Sequence, residues 1–334
     1  MQGTPTKMHI TGSKWVYDYK TDADVNVNRY KARFVAKGYT QLKGVDYEET
    51  WAPCPARATV RAVLAMAADR DWEMHSVDVK TAYLNATMDK EMYIQPPKGY
   101  ERGEGMVCEV LKAIYGAKQA GNLWAEHLHV TLTSAGARRS EADHCLYILT
   151  DPGLGIIFIL VHVDDVAFVA RTLEAVLFGK RIITDTYEAR VSGELRCFLG
   201  MRVERNRARR TLKLSCPGHI HDLIKEHGLV KANPAKLPMT PGLVLAKTGN
   251  NILPDATIYQ ALVGRLNYLA TTMRPDIAWA VGRLSLYLQE PDELHWRAAK
   301  SLLRYLCGTA EMGLVYNVSG RGHRLSRAVD TGEC

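Results

Sequence analysis

The sequence predicts an α+β protein that ends in a mostly helical region. Three observations predict it. Two apolar-aromatic stretches are interrupted by polar turns in the manner of antiparallel hairpins. Apolar residues recur at helical spacing between those stretches. Past residue 256 only the helical spacing remains, punctuated by proline and glycine. With 334 residues, 47% of them hydrophobic, the chain can bury two or three domain cores.

In chain order, KWVYDYK and RYKARFVAKGY (within 14–39) read as two strands joined by the turn DADVNVN. Arg29, Lys31, Arg33 and Lys37 make one edge of this hairpin basic. That edge reads equally as protection against aggregation or as a contact for an acidic partner. Val60, Val63, Leu64 and Ala67 recur at helical spacing over Thr59–Arg70, with Thr59 as the expected cap. WEMHSVDV (72–79) reads as a strand and KTAYLNATM (80–88) as a helix; Gln119–Ser134 is a second helix. IIFILVHVDDVAFVA (156–170) forms two β-rich arms around Asp164 and Asp165. A helix over Leu173–Tyr187 and a hairpin over Cys197–Ser215 with a basic tip come next. Pro234, Pro238, Pro241, Pro254, Gly242 and Gly249 mark a linker at 233–256. Three helices are expected beyond it: Tyr259–Thr272, Asp276–Gln289 with Pro275 at its entry, and Asp292–Cys307 between Pro291 and Gly308.

Composition narrows the function. A formal charge of +7 and a pI near 8.9 favour an acidic partner, nucleic acid first. Seven scattered cysteines without a C-x-x-C pair argue against a disulfide framework or a thiolate zinc site and fit a reducing compartment. The first ten residues lack a signal-peptide core, and no apolar stretch is long enough for a bilayer. His127 and His129 point to different faces of their helix, and His219 and His221 sit at a helix start, so all four read as structural.

The chemistry concentrates in aspartates. Asp164 and Asp165 interrupt an apolar stretch, where unpaired charges are costly. They either form a solvated turn or bind cations. Asp78 ends the strand 72–79, and alternation puts it on one face with Met74 and Ser76. Capping the next helix is the other reading for it. Together the three carboxylates can supply the oxygen ligands of a two-Mg²⁺ phosphoryl-transfer site.

SVDVKTAYLN, AIYGAKQAGNLW, VHVDD and GELRCFLGMRVER resemble the ordered motifs of copia-type retrotransposon reverse transcriptases. So do KWVYDYK, RYKARFVAKGYTQ and GVDYEETWAP before them, and YQALVGRLNYLA, RPDIAWAV and HWRAAKSLLRYLCGT after them. The resemblance covers about residues 14–316 in one unbroken order. It implies a right-hand polymerase: fingers and palm over 14–232, a helical thumb or connection region over 257–316, and a tail at 317–334. Asp78, Asp164 and Asp165 would hold two Mg²⁺ or Mn²⁺ ions. Tyr83 takes the place of the aromatic under the nucleotide sugar, where a ring can exclude a 2′-hydroxyl; an ordinary core tyrosine is its other reading. Tyr115, Gly116, Lys118 and Gln119 would line the dNTP and template pocket, and Lys31, Arg33 and Lys37 are triphosphate candidates.

The family's Tyr-Val-Asp-Asp begins here with His162, which falls at the primer end. Pro53-Cys54-Pro55-Ala56 replaces Pro-Val-x-Arg, and Ala117 replaces the leucine of YGLKQ. Arg297, Lys300 and Arg304 recur three and four apart on the last helix, as a nucleic-acid face or a solvated one. The tail, with Asp330 as a lone acid, reads as truncated before an RNase H domain. The implied partners are an RNA or DNA template with primer, dNTPs, a second copy, and element proteins such as integrase and capsid, with no membrane. The implied location is a cytoplasmic particle or the nucleus. Two rivals remain: an inactive remnant with weak nucleic-acid binding, and an unrelated two-metal enzyme such as a nucleotidyl cyclase.

Overall fold

The computed structural model describes residues 9–21, 27–100, 103, 105–246 and 251–317. The chain divides into two compact units, Met1–Val63 with Trp72–Glu194, and Leu64–Asp71 with Leu195–Cys334.

The first unit contains β1 (Ile10–Thr11), β2 (Ser13–Thr21), β3 (Val27–Ala36), the start of α1 (Arg57–Asp69) and β4 (Glu73–Val79). It continues with β5 (Tyr93–Ile94), β6 (Cys108–Glu109), α2 (Ala120–Ser134), β7 (Arg138–Arg139) and β8 (Leu146–Asp151). It closes with β9 (Gly155–His162), β10 (Asp165–Ala170), α3 (Leu173–Thr184) and β11 (Ala189–Glu194). β2 and β3 form the expected N-terminal hairpin, Trp15 opposite Phe34.

The centre of this unit is an antiparallel sheet in the order β11-β4-β10-β9-β8-β7. Val77, Val79, Ile157, Ile159, Val166 and Phe168 turn one face of the sheet into a core. Trp124, Leu128 and Leu132 of α2, recurring four apart, and Ala175, Val176 and Ile183 of α3 complete that core. Alternate residues of β10, Ala167 and Val169, are fully buried too, so the strand carrying Asp165 is covered on both faces. An aspartate at its end is therefore held on a rigid support.

In this unit two local expectations fail. The helix read over 59–70 begins at Arg57, so Thr59 lies inside it and is not the cap. The stretch 80–88 holds only a 3₁₀ turn, Ala82–Asn85. Thr81 enters the left-handed region (φ 48°) and Ala86 is extended, because the chain there pairs with 111–113: Met88 N–H donates to the Leu111 carbonyl (3.2 Å) and Ala113 N–H to that of Ala86 (3.0 Å). The other reading of Asp78, as a helix cap, goes with the helix: the cap position of the 3₁₀ turn belongs to Thr81.

The second unit contains β12 (Cys197–Phe198), β13 (Met201–Asn206), β14 (Thr211–Ser215) and α4 (Pro217–Glu226). After them come α5 (Ala256–Thr272), α6 (Ala278–Ser285), α7 (Glu293–Gly308) and β15 (Gly313–Asn317). The strands form an antiparallel sheet in that order. The helix expected over 276–289 is shorter, a 3₁₀ turn at Pro275–Ile277 followed by α6. Side chains of α5 take carbonyls near and beyond the end of α6: Tyr259 Oη donates to Leu284 O and Gln260 Nε2 to Leu288 O, both at 2.8 Å.

β15 was not expected. It lies opposite β14, with Leu212 facing Tyr316 and Leu214 facing Leu314. This pairing explains why the compact units separate at Glu194–Leu195 while the expected linker lies at 233–256. The 197–215 hairpin joins its sheet to residues a hundred positions later, a link no local pattern carries. No helix or strand occupies the described residues from 233 to 255. Asp330 and the tail beyond 317 lie outside the described residues.

Candidate functional site

β9 and β10 are joined by two residues, Val163 and Asp164, with His162 directly opposite Asp165. Val163 has φ 51°, and Asp164 is not in the positive-φ region. That sign pattern belongs to a type II′ hairpin turn, whose first central position is ordinarily glycine. A β-branched residue there is strained. Two hydrogen bonds restrain the turn: Trp124 Nε1–H donates to Val163 O (2.7 Å) and Val79 N–H to Asp164 O (2.8 Å).

The second bond extends the β4–β10 ladder, in which Asp78 is the direct partner of Asp165. Directly opposed residues share a sheet face, with Cβ atoms about 5 Å apart. On the other side of β4, Arg190 is opposite Asp78. The register thus produces one row across four strands: Arg190, Asp78, Asp165, His162. Asp164 adds a third carboxylate at the turn.

Burial, then the charges of Asp164 and Asp78, raise the Asp165 pKa above the ordinary aspartate value, with His162 acting the other way. Asp78 is exposed, and Asp164 and Asp165 are half-buried. None of the three makes an ion pair or side-chain hydrogen bond among the described residues. As they stand, no three carboxylate, histidine or cysteine side chains among the described residues form a group able to hold a metal ion. His162 Nδ1 is buried without a hydrogen-bond partner.

Tyr83 stands on the 3₁₀ turn after β4, its ring centroid 4.7 Å from that of Tyr115. Burial raises the Tyr83 pKa, with further contributions from Asp164 and Cys54. Tyr115 is raised by burial and by Asp164, against the lowering effect of Arg33. The Arg33 guanidinium lies over the Tyr115 ring, 5.4 Å from its centroid. The structure therefore brings together Asp78, Asp164, Asp165, Tyr83, Tyr115, Arg33 and His162.

The other sequence candidates play different parts. Lys31 shares the Arg33 face of β3 by alternation. Lys37 donates its backbone N–H to Gly12 O (2.8 Å), and its side chain runs beside Gly12. Gly116 has φ 86°, and a Cβ there would stand 2.1 Å from the Ala36 carbonyl oxygen. Glycine is thus required where the Tyr115 carbonyl accepts the Ala36 N–H (2.9 Å).

Lys118 Nζ donates to Tyr47 Oη (3.1 Å). Gln119 is fully buried; its Nε2 donates to Asp46 O (2.8 Å), and its Oε1 accepts from Gln41 Nε2 (3.0 Å). Both ends of its amide are thus engaged inside the unit. In the second unit, Arg297 is exposed near Glu293 (3.8 Å), and Lys300 Nζ lies over the Trp296 ring. Arg304 Nε donates to Asn233 O (2.6 Å).

Sequence reasoning missed Arg190 and Trp124. Arg190 lies in a short, mostly exposed strand with no distinctive pattern, and only pairing places it opposite Asp78. Trp124 belongs to the AGNLW block, but its hydrogen bond spans 39 residues.

Comparison with known proteins agrees with the motif reading. The family described as "Reverse transcriptase (RNA-dependent DNA polymerase)" matches residues 2–241. The Retrovirus-related Pol polyprotein from transposon RE2 of Arabidopsis thaliana is 37% identical over 93% of this chain and 21% of its own length. The polyprotein from transposon TNT 1-94 of Nicotiana tabacum is 34% identical over 89% of this chain and 23% of its own. The putative transposon Ty5-1 protein of Saccharomyces cerevisiae is 35% identical over 72% of this chain and 78% of its own. A solved foamy viral protease-reverse transcriptase in complex with double-stranded DNA aligns at TM-score 0.42 and 13% identity, covering 83% of this chain and 42% of that one. The chain spans about a fifth of the Pol polyproteins it matches. On the match to 240 consecutive residues and the copia-type relatives, this chain belongs to the reverse transcriptase (RNA-dependent DNA polymerase) family.

Proposed function

We propose that the chain is the polymerase domain of a copia-type element and extends a primer 3′-hydroxyl with dNTPs on an RNA or DNA template. The observation that carries this reading is the row that sets Asp78 opposite Asp165, with Asp164 at the adjoining turn. The donor set fits hard cations: carboxylate oxygens only, repelling one another, with no ion-pair partner among the described residues. Asp78 and Asp164 would be the principal ligands and Asp165 the third, after their side chains rotate into a common group. When bound, two divalent ions supply activation of the attacking hydroxyl and stabilisation of the leaving pyrophosphate.

The remaining residues bind and orient. The Tyr83 ring, 4.7 Å from that of Tyr115, would pack under a deoxyribose and crowd a 2′-hydroxyl. Arg33, over the Tyr115 ring, offers a guanidinium to the triphosphate, with Lys31 on the same strand face. His162, next to the turn, meets the primer end. In this reading residues 14–232 serve as fingers and palm, and 257–316 as thumb or connection region. On the same reading the protein works in a cytoplasmic element particle or in the nucleus, with a second copy or element proteins such as integrase and capsid as further partners.

One observation favours the alternative of an inactive remnant: the carboxylates do not converge as they stand. Primer extension on a homopolymer RNA template with Mg²⁺ or Mn²⁺ separates the two readings. The polymerase reading expects extension by wild type and a loss of several orders of magnitude in Asp164→Asn. Equal extension by both refutes the site, and none by a folded wild type selects the remnant.

A further inference from the structure

The geometry points to Trp124 as a positioning residue that holds the aspartate turn in its strained conformation; this inference rests on the polymerase reading above. Val163 stands at φ 51°, where β-branched residues are rarely found. Left alone, the turn would relax toward negative φ, reorienting the Val163–Asp164 peptide and carrying the Asp164 carboxylate with it. The Trp124 indole opposes this by donating Nε1–H to the Val163 carbonyl at 2.7 Å.

The indole is itself fixed. Trp124 is 1% exposed, meets Tyr187 edge-on (5.2 Å between centroids) and stacks on His127 (6.1 Å). Tyr187 Oη in turn hydrogen-bonds with Thr131 Oγ1, two turns further along α2. Four residues before the indole, α2 begins beside Gln119, which Gln41 and Asp46 anchor. An indole on a helix anchored at its start and packed along its length is a stiff support for one carbonyl oxygen. Trp124 therefore acts through the turn, and touches neither nucleotide nor ion.

Mn²⁺ titrated into the full chain, with free ion counted by electron paramagnetic resonance, tests this. Trp124→Phe keeps a ring and loses the N–H. It should weaken Mn²⁺ binding about tenfold, equivalent to about 1.4 kcal/mol and within the worth of one such hydrogen bond. In primer extension it should lower kcat while leaving the KM for dNTP in place. Adding Val163→Asn, a residue that tolerates positive φ, should restore Mn²⁺ affinity to Trp124→Phe. A merely structural tryptophan would give no such rescue.

If Trp124→Phe fails to fold, benzothienylalanine at position 124 preserves the bicyclic shape without the donor, and the same tenfold loss is expected. Unchanged Mn²⁺ affinity in a folded variant, or no rescue by Val163→Asn, overturns the inference alone. Wild-type protein that takes up no Mn²⁺ overturns the cation site and the inference with it.

Discussion

Replacing Asp165 by asparagine should make the protein more stable and less active at once. Asp165 faces Asp78 across the strand pair and follows Asp164, and no described cation forms an ion pair with any of them. Its raised pKa means the folded chain holds this proton more tightly than the unfolded chain does. Below the ordinary aspartate range both states are protonated and the site costs nothing. As pH rises through that range the unfolded chain ionises first, so the fold loses stability, and the cost is complete above the folded-state value. Asp165→Asn removes this cost at pH 7. On the scale of cross-strand charge pairs, roughly 0.2–1 kcal/mol, that relief is a rise of up to about 4 °C in Tm for a unit of this size. Urea unfolding at pH 7 and below pH 4 measures it: the gain should appear at the first pH and vanish at the second. Millimolar Mg²⁺ should stabilise wild type more than the variant, because the ion binds only the folded site. A variant less stable than wild type at pH 7 would mean that Asp165 is held by a favourable partner, and the repulsion argument fails.

Further outcomes follow from other residues. Tyr83→Ala should raise ribonucleotide relative to deoxyribonucleotide incorporation; an unchanged ratio assigns the ring to packing. Gly116→Ala forces a side chain into positive φ against the Ala36 carbonyl and should cost about 3 kcal/mol in urea unfolding, whereas a cost below about 0.5 kcal/mol would show that the loop yields freely. Arg297→Gln with Lys300→Gln should flatten the slope of log affinity against log salt for primer–template by about 1.4–1.8. Arg304→Gln should leave that slope unchanged, since its guanidinium is engaged by Asn233 O; the reverse pattern would reassign the phosphate contacts.

What the sequence disclosed was whatever local pattern encodes. The N-terminal hairpin, α2, α3 and the β9–β10 arms each announce themselves within one short, continuous stretch of sequence. The aspartates stood out because charge in an apolar strand is conspicuous. Backbone partners chosen at a distance were silent. The turn at 82–85 reads as a longer helix until the pairing of 86–88 with 111–113 is known. Gln119 reads as a pocket residue until its amide is found occupied by Gln41 and Asp46. The Arg190-to-His162 row needs the register of three strand pairs, and register lies outside any one segment.

The β14–β15 ladder also has a consequence for the order of events in synthesis. Thr211–Ser215 leaves the ribosome about a hundred residues before Gly313–Asn317 can pair with it. At roughly 5–20 residues per second, the interval is about 5–20 s. Throughout that time β14 offers an open edge beside two apolar residues, Leu212 and Leu214, that are fully buried at the end. An edge of this kind recruits other strands. Such a high contact order also makes closure slow. A nascent chain halted between 216 and 312 is therefore poised to pair with a neighbouring polypeptide, and the last five-residue strand of the described chain ends that exposure.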